Sequence, residues 1–233
     1  MPVQKNLSKA VLNMNWKHAL LEISLIVIGI LIALQIDNWN EERKESQFEK
    51  KILSEIAIAL QGDIDDQINT RIERANEIKS SSAIVLSYIR EEIAYHDSLE
   101  RHFTRSKRIM IFEPKTAPFE TLNSKGIELV QNDELRVALL DLYDFYYPQL
   151  EFFTAREREW TERHLGSFVL NHFRIDDNGF GYRPLYPEKL KTDFLYRNLM
   201  IEKNDGVDDL IFRFEIADKK IQNVLRLIES ELD

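Results

Sequence analysis

The chain has no cysteine, so any chemistry must come from its histidines, carboxylates, hydroxyls and amines. Disulfides, thiolate nucleophiles, cysteine-ligated zinc and iron–sulfur clusters are thereby excluded. The five histidines are His18, His96, His102, His164 and His172. None stands in the His-Glu-x-x-His spacing that sets two imidazoles on one helical face for zinc. Glu92 and His96 lie one helical turn apart, as do Arg158 and Glu162. Such pairs are ordinary surface electrostatics in a chain with 30% charged residues. Asp176-Asp177-Asn178-Gly179 has the residue types of a calcium loop without its alternating spacing or closing glutamate, and it reads as a turn. Gly166-Ser167 lacks the Gly-x-Ser-x-Gly frame of a nucleophile elbow. No glycine-rich phosphate loop occurs, and 40 acidic residues are too many for spacing to single out an acid–base pair. The sequence nominates no catalytic, cofactor-binding or metal-binding residue, and no cofactor. Tyr143, Phe145, Tyr146, Tyr147, Phe152, Phe153 and Trp160 form a dense aromatic group that would suit a pocket between helices. The core of a helical bundle uses the same residues and is the simpler reading.

The most informative stretch carries no chemistry. Leu20 to Ile36 reads LLEISLIVIGILIALQI, and Leu25 to Leu34 holds no charged or strongly polar residue. As a helix it spans roughly 25 Å, at the lower edge of what a bilayer requires. Trp16 and Trp39 flank it, where indole rings favour the lipid–water boundary. A buried core helix is seldom apolar all the way round, and a cleaved signal peptide lacks a small-x-small site here. A transmembrane helix over 19–39 is therefore expected, with a short basic head over 1–18 and a soluble domain over 40–233. Lys5, Lys9 and Lys17 precede the span with no acid among them. Arg43, Lys44, Lys50 and Lys51 follow it, mixed with acids. That head resembles an uncleaved signal anchor, which puts the N-terminus in the cytoplasm and the domain outside it. Glu22 and Gln35 lie close enough to the two ends to reach the interfaces. Gly29 and Ala33 make a small-xxx-small pair through which two such helices could approach.

A family likeness rests on these residues. Glu22-Ile23, Ile26 through Ile36, Asn38-Trp39-Asn40-Glu41 and Arg43 resemble the N-terminal signature of an uncharacterised bacterial family. A second block agrees: Phe119 through Gly126, Asn132-Asp133-Glu134-Leu135-Arg136 and Tyr146-Tyr147. The resemblance implies a single-pass protein with a helical domain after its anchor, which with the orientation above places it in a bacterial inner (cytoplasmic) membrane with its domain in the periplasm, and it implies no activity.

Past the anchor, 7 Gly and 6 Pro are too few for a β-rich fold, so the expectation is all-α, an antiparallel bundle of long helices. Phe48, Ile52, Ile56, Ala59, Ile64, Ile68, Ile72 and Ala75 form one apolar stripe, with a kink or cap at Gly62-Asp63. Because no Gly or Pro separates Trp39 from Phe48, the membrane helix is expected to run directly into this one. Ser80-Ser81-Ser82 reads as a turn before a second stripe of Ala83, Leu86, Ile89 and Ile93. Loops are expected near 105–118 and 174–187. Between them lie a short helix from Thr116 or Pro118 to Lys125, with Gly126 at its C-terminal cap, and a helix capped by Asn132. The latter buries Leu135, Leu139, Leu142, Phe145 and Tyr146, and Pro148 bends or ends it. A helix over Glu188–Lys203 and a last one opening at Asp205-Gly206 complete the chain. The last helix carries Val207, Leu210, Ile211, Phe214, Ala217, Ile221, Leu225, Ile228 and Leu232 on one face.

A net charge of −9 argues against nucleic acid. The expected partners are the lipid bilayer and either a second copy of the chain or another protein. The leading reading is a membrane-anchored, non-enzymatic interaction or sensory-type domain. A pilin-like subunit would need glycine where Lys17 stands, and an enzyme would need a site assembled only by the fold.

Overall fold

Three long helical runs account for most of the chain, and each follows from an apolar stripe at helical spacing. The structure, a computed structural model, describes residues 16–176 and 181–232, and the chain falls into two compact units, one ending at Glu49 and one from Lys50 to Asp233. Residues 1–15 of the expected basic head, and Asp177 through Phe180 of the expected second loop, lie outside the described residues, whereas residues 16–18 of that head open the first helix.

The first run comprises α1 (Trp16–Asp63), a π-helical segment Ile64–Asn69 and α2 (Thr70–Ile89). No loop separates Trp39 from Phe48, as expected. Gly62-Asp63 marks a change of helical type. Within the second unit Ile52, Ile56, Ala59, Ile64, Ile68 and Ala75 are all buried. The serine turn does not form, because α2 continues through it with Ser81 and Ser82 buried. These small side chains occupy stripe positions next to Ile78 and Val85, and Ser81 Oγ meets His102 Nδ1 of α3 (Glu100–Ser106) at 3.3 Å. The stripe keeps Leu86 and Ile89 buried as expected, but it widens to Ser82, Val85 and Tyr88 and leaves Ala83 exposed. Ile93 lies beyond the helix, because Glu91 takes a left-handed φ of 64° and closes α2.

The loop that follows is pinned by one face of the first run. Asp63, Gln67 and Arg71, each a turn apart, bind backbone groups of the loop: Lys115 N donates to Asp63 Oδ1 (3.0 Å), Glu113 N to Gln67 Oε1 (3.3 Å), and Arg71 Nε to the Ile111 carbonyl (2.5 Å). Regular structure is thereby unnecessary to satisfy these backbone groups, and Met110 and Phe112 are free to enter the core. Helix α4 (Ala117–Lys125) ends at Gly126, whose φ of 118° is a backbone state that glycine adopts most cheaply.

The second run comprises α5 (Asp133–Leu140), a π segment Asp141–Tyr146, α6 (Tyr147–Trp160), a π segment Thr161–Gly166 and α7 (Ser167–His172). Asn132 caps it as expected, its side chain accepting from Leu135 N at 3.0 Å. Pro148 neither ends nor interrupts the run. It sits in the first turn of α6 directly after a π segment, where the wider turn accommodates a residue without an N–H. Phe145 was expected in the core but is 51% exposed, and Tyr146 is half-buried. Consecutive residues on a helix diverge by about 100°, so the face carrying Leu139, Leu142, Tyr143 and Tyr147 turns Phe145 outward.

The expected second loop contains a two-stranded antiparallel hairpin, β1 (Phe173–Ile175) and β2 (Tyr182–Pro184), with Phe173 opposite Pro184. Helix α8 (Pro187–Thr192) is short. The last run, α9 (Phe194–Leu232), begins at Asp193, whose Oδ1 accepts from Tyr196 N at 3.0 Å. The expected boundary at Asp205-Gly206 is therefore absent, and a helix over Glu188–Lys203 is replaced by α8 and the first turns of α9. An interior glycine costs about 1 kcal/mol. The burial of Met200, Val207, Leu210 and Phe214 on the same helix outweighs that at about 1.5–3 kcal/mol per large side chain.

Helix α9 runs antiparallel to α2 and to the second run. Its contacts with the second descend in order, from Glu231 with Asn132 (3.1 Å) to Lys220 with Asp141 (3.1 Å) and Lys203 with Glu157. Against the first run, Asp208 meets Lys79 at 2.5 Å, and Tyr196, Leu199 and Met200 join Val85, Leu86, Tyr88 and Ile89 in one hydrophobic cluster. The fold is an all-α bundle, with its core between α2, α9 and the second run.

Candidate functional site

The anchor residues singled out from the sequence, Trp16, Glu22, Gly29, Ala33, Gln35 and Trp39, all lie on α1, and all are exposed. Nothing lies within 4 Å of where a Cβ on Gly29 would be, so Gly29 and Ala33 present an open face. The histidines do not converge. His96 caps a 3-10 turn, His102 packs beside Ser81, His164 lies against Trp160, and His172 stacks on Phe168. The side chain of His18 lies outside the described residues. Burial, followed by the charges of Arg101 and Arg105, pulls the His102 imidazole below its usual value. Among the described residues no group of three or more His, Asp or Glu is placed to hold a metal.

Two buried polar clusters take the place of such a site, and each adjoins π-helical turns. In the first, Asp63 is fully buried and accepts from Tyr147 Oη at 2.8 Å as well as from Lys115 N. Burial raises the Asp63 carboxyl above its usual value, and the Tyr147 hydroxyl bond opposes that shift. Tyr143 stacks on Phe119 beside them, and its hydroxyl is buried without a partner. This cluster sits in the core and ties the 107–116 loop to α1.

The second cluster lies at an opening. Lys203 on α9 is 1% exposed, and Glu157 on α6 is 8% exposed. Lys203 Nζ bonds to Glu157 Oε1, to Thr161 Oγ1 at 2.9 Å and to the Arg108 carbonyl at 2.8 Å, which uses all three ammonium donors. Thr161 Oγ1 also donates to Glu157 Oε1 at 2.7 Å. Glu157 Oε2 is buried and has no partner. Desolvation draws the Lys203 ammonium below its usual value, and the Glu157 carboxylate counteracts this.

These two residues also line a cleft of about 620 Å³ between α6 and α9, within the size range of small-molecule sites. Phe153, Trp160 and Leu210 supply its apolar surface, and Arg156, Glu202, Asp205, Asp209 and Arg213 its charged rim. Arg213 is already committed, bonding Asp209 at 2.9 Å and lying 3.3 Å from the Phe153 ring centre. The aromatic group read from the sequence is thus divided. Tyr143 and Tyr147 belong to the core, Phe153 and Trp160 to the cleft, and Phe145 and Phe152 are exposed.

Sequence reasoning missed Lys203 and Glu157, though a signal was there. Lys203 falls on the stripe of Leu199, Val207 and Leu210, and Glu157 on that of Leu150, Thr154 and Thr161. A charge on a core stripe requires a partner, and two opposite charges on two stripes are each other's natural candidates.

No curated protein and no solved structure matches the chain. Residues 22–159 match the model of a family of unknown function, DUF6090. That match runs from α1 to the penultimate residue of α6, takes in the Glu157 wall of the cleft and spans more than half of the 233 residues. On that extent the chain belongs to the DUF6090 family, a family of unknown function.

Proposed function

We propose that this protein is a single-pass, membrane-anchored interaction or sensory protein without catalytic activity. Residues 19–39 cross the bacterial inner membrane as an uncleaved signal anchor, residues 1–18 remain in the cytoplasm, and the helical domain lies in the periplasm. The observation that carries this reading is the state of α1. Its most apolar 18-residue window has a mean hydropathy of 2.2, and none of it is buried. From Leu20 to Ile36 every large apolar side chain is between 48% and 62% exposed. A core helix would be covered, and an uncovered apolar surface of this extent needs a solvent other than water. The non-catalytic part of the reading is supported by the saturation of Lys203, whose donors are all occupied, so that no free amine is offered to a substrate.

The test joins a reporter active only outside the cytoplasm to Asp233, with a cytoplasm-only reporter in parallel. We expect activity outside, and a full-length product that stays in the membrane pellet after an alkaline wash. Activity inside would overturn the orientation. A shortened, soluble product would show that the segment is a cleaved signal.

A further inference from the structure

We propose that the cleft between α6 and α9 binds a small organic cation, a primary amine carrying an apolar body. Three observations converge on that chemistry. The first is Glu157, a lining residue whose Oε2 is buried without a hydrogen-bond partner while Oε1 is taken by Lys203 and Thr161. A buried carboxylate oxygen lacking a donor is costly, and an ammonium entering the cleft supplies one. The second is Gly206. It stands inside α9, where glycine is unfavourable relative to alanine, yet a Cβ there would meet nothing within 4 Å. Packing does not demand this glycine, and its effect is to leave the cleft open down to the helix backbone. The third is charge. Lys203 and Arg213 are committed to Glu157 and Asp209, whereas Glu202 and Asp205 have no ionic partner among the described residues. Arg156, 5.0 Å from the Phe153 ring centre, offsets only one of these two carboxylates. With Arg213 and Arg156 already against the Phe153 ring, the negative charge left beside the face of Trp160 favours a cation over an anion or a neutral ligand.

The inference deepens the sensory reading above and rests on it. It is tested on the full chain in an uncharged detergent, so topology does not enter, and a failure of one is distinguishable from a failure of the other. Calorimetric titration would compare phenethylamine with its near-isosteres 3-phenylpropionate and 2-phenylethanol. The same titrations on Gly206→Leu control for partition into micelles. We expect saturable binding of phenethylamine at about 1 mM or tighter, at least tenfold stronger than either isostere, together with a raised Tm. Gly206→Leu fills the cleft and should abolish the binding while leaving Tm equal to or above that of the parent. The Glu202→Gln, Asp205→Asn double variant should weaken it several-fold. No saturable binding would mean that water alone meets Glu157 Oε2, and the proposal falls. Equal binding of the carboxylate isostere, or binding that survives Gly206→Leu, would overturn it too.

Discussion

Among the described acidic and basic side chains, Asp63 and Lys203 are the two that folding removes most completely from water, and their consequences differ. The Asp63 carboxyl stands above its unfolded value of 3.8 because burial opposes its charge. Its contribution to stability is therefore fully present below that value and is lost as pH rises through the folded value. Asp63→Asn should remove this pH-dependent loss, which denaturant unfolding across the acid range would show as a flatter profile than the parent's. Identical profiles would mean that Asp63 titrates normally. Lys203 and Glu157 form a buried pair, and breaking such a pair from one side leaves an uncompensated charge. Lys203→Met alone should cost about 3–5 kcal/mol, whereas Lys203→Met with Glu157→Leu should recover most of that or exceed the parent. A double variant that costs the sum of the two single variants would show that the residues are independent. The sequence did not mark Asp63 as buried, and it signalled Lys203 only by its place on the stripe of Leu199, Val207 and Leu210. Each is a charged residue among many until the bundle register reveals which face it occupies.

At the scale of elements, local chemistry was readable wherever it acts within a few residues. The Asn132 cap and the Gly126 terminus follow from backbone groups that must find a partner nearby. Asn132→Ala should cost about 1 kcal/mol, measured by denaturant unfolding, and no change would mean the cap is replaced by solvent. Glu91 is the converse case, because it holds a left-handed backbone that glycine adopts without strain. Glu91→Gly should stabilise by about 1 kcal/mol, and a loss would show that its side chain matters more than its backbone. The misread elements share a cause. Ser80-Ser81-Ser82 and Asp205-Gly206 are turn-prone in isolation, yet both lie inside helices whose flanks are buried. A preference of about 1 kcal/mol yields to several buried side chains on the same helix. The π segments at Ile64–Asn69, Asp141–Tyr146 and Thr161–Gly166 had no sequence signal at all. Each adjoins a buried polar contact: Asp63 with Tyr147 at the first two, and Thr161 with Lys203 at the third.

For the whole molecule the decisive feature is the apolar stretch of α1. On an insertion scale each large apolar residue there contributes about 0.3–0.6 kcal/mol, and one central arginine costs about 2.5–3.5. A single arginine therefore leaves insertion near balance. Ile28→Arg with Ile32→Arg should reverse it and move the protein out of the alkaline-washed membrane fraction. Retention of the double variant in that fraction would refute the anchor.

The helix long and apolar enough to cross a membrane, the all-α class and the cap at Asn132 were decided by composition and spacing within one or two helical turns, because hydropathy, glycine scarcity and orphan backbone groups act locally. Which turn-prone sites stay helical, where the chain reverses, and that Lys203 meets Glu157 beside an open cleft were decided only by tertiary packing. Those outcomes depend on the register between helices far apart in the chain, and on burial free energies that exceed any local preference.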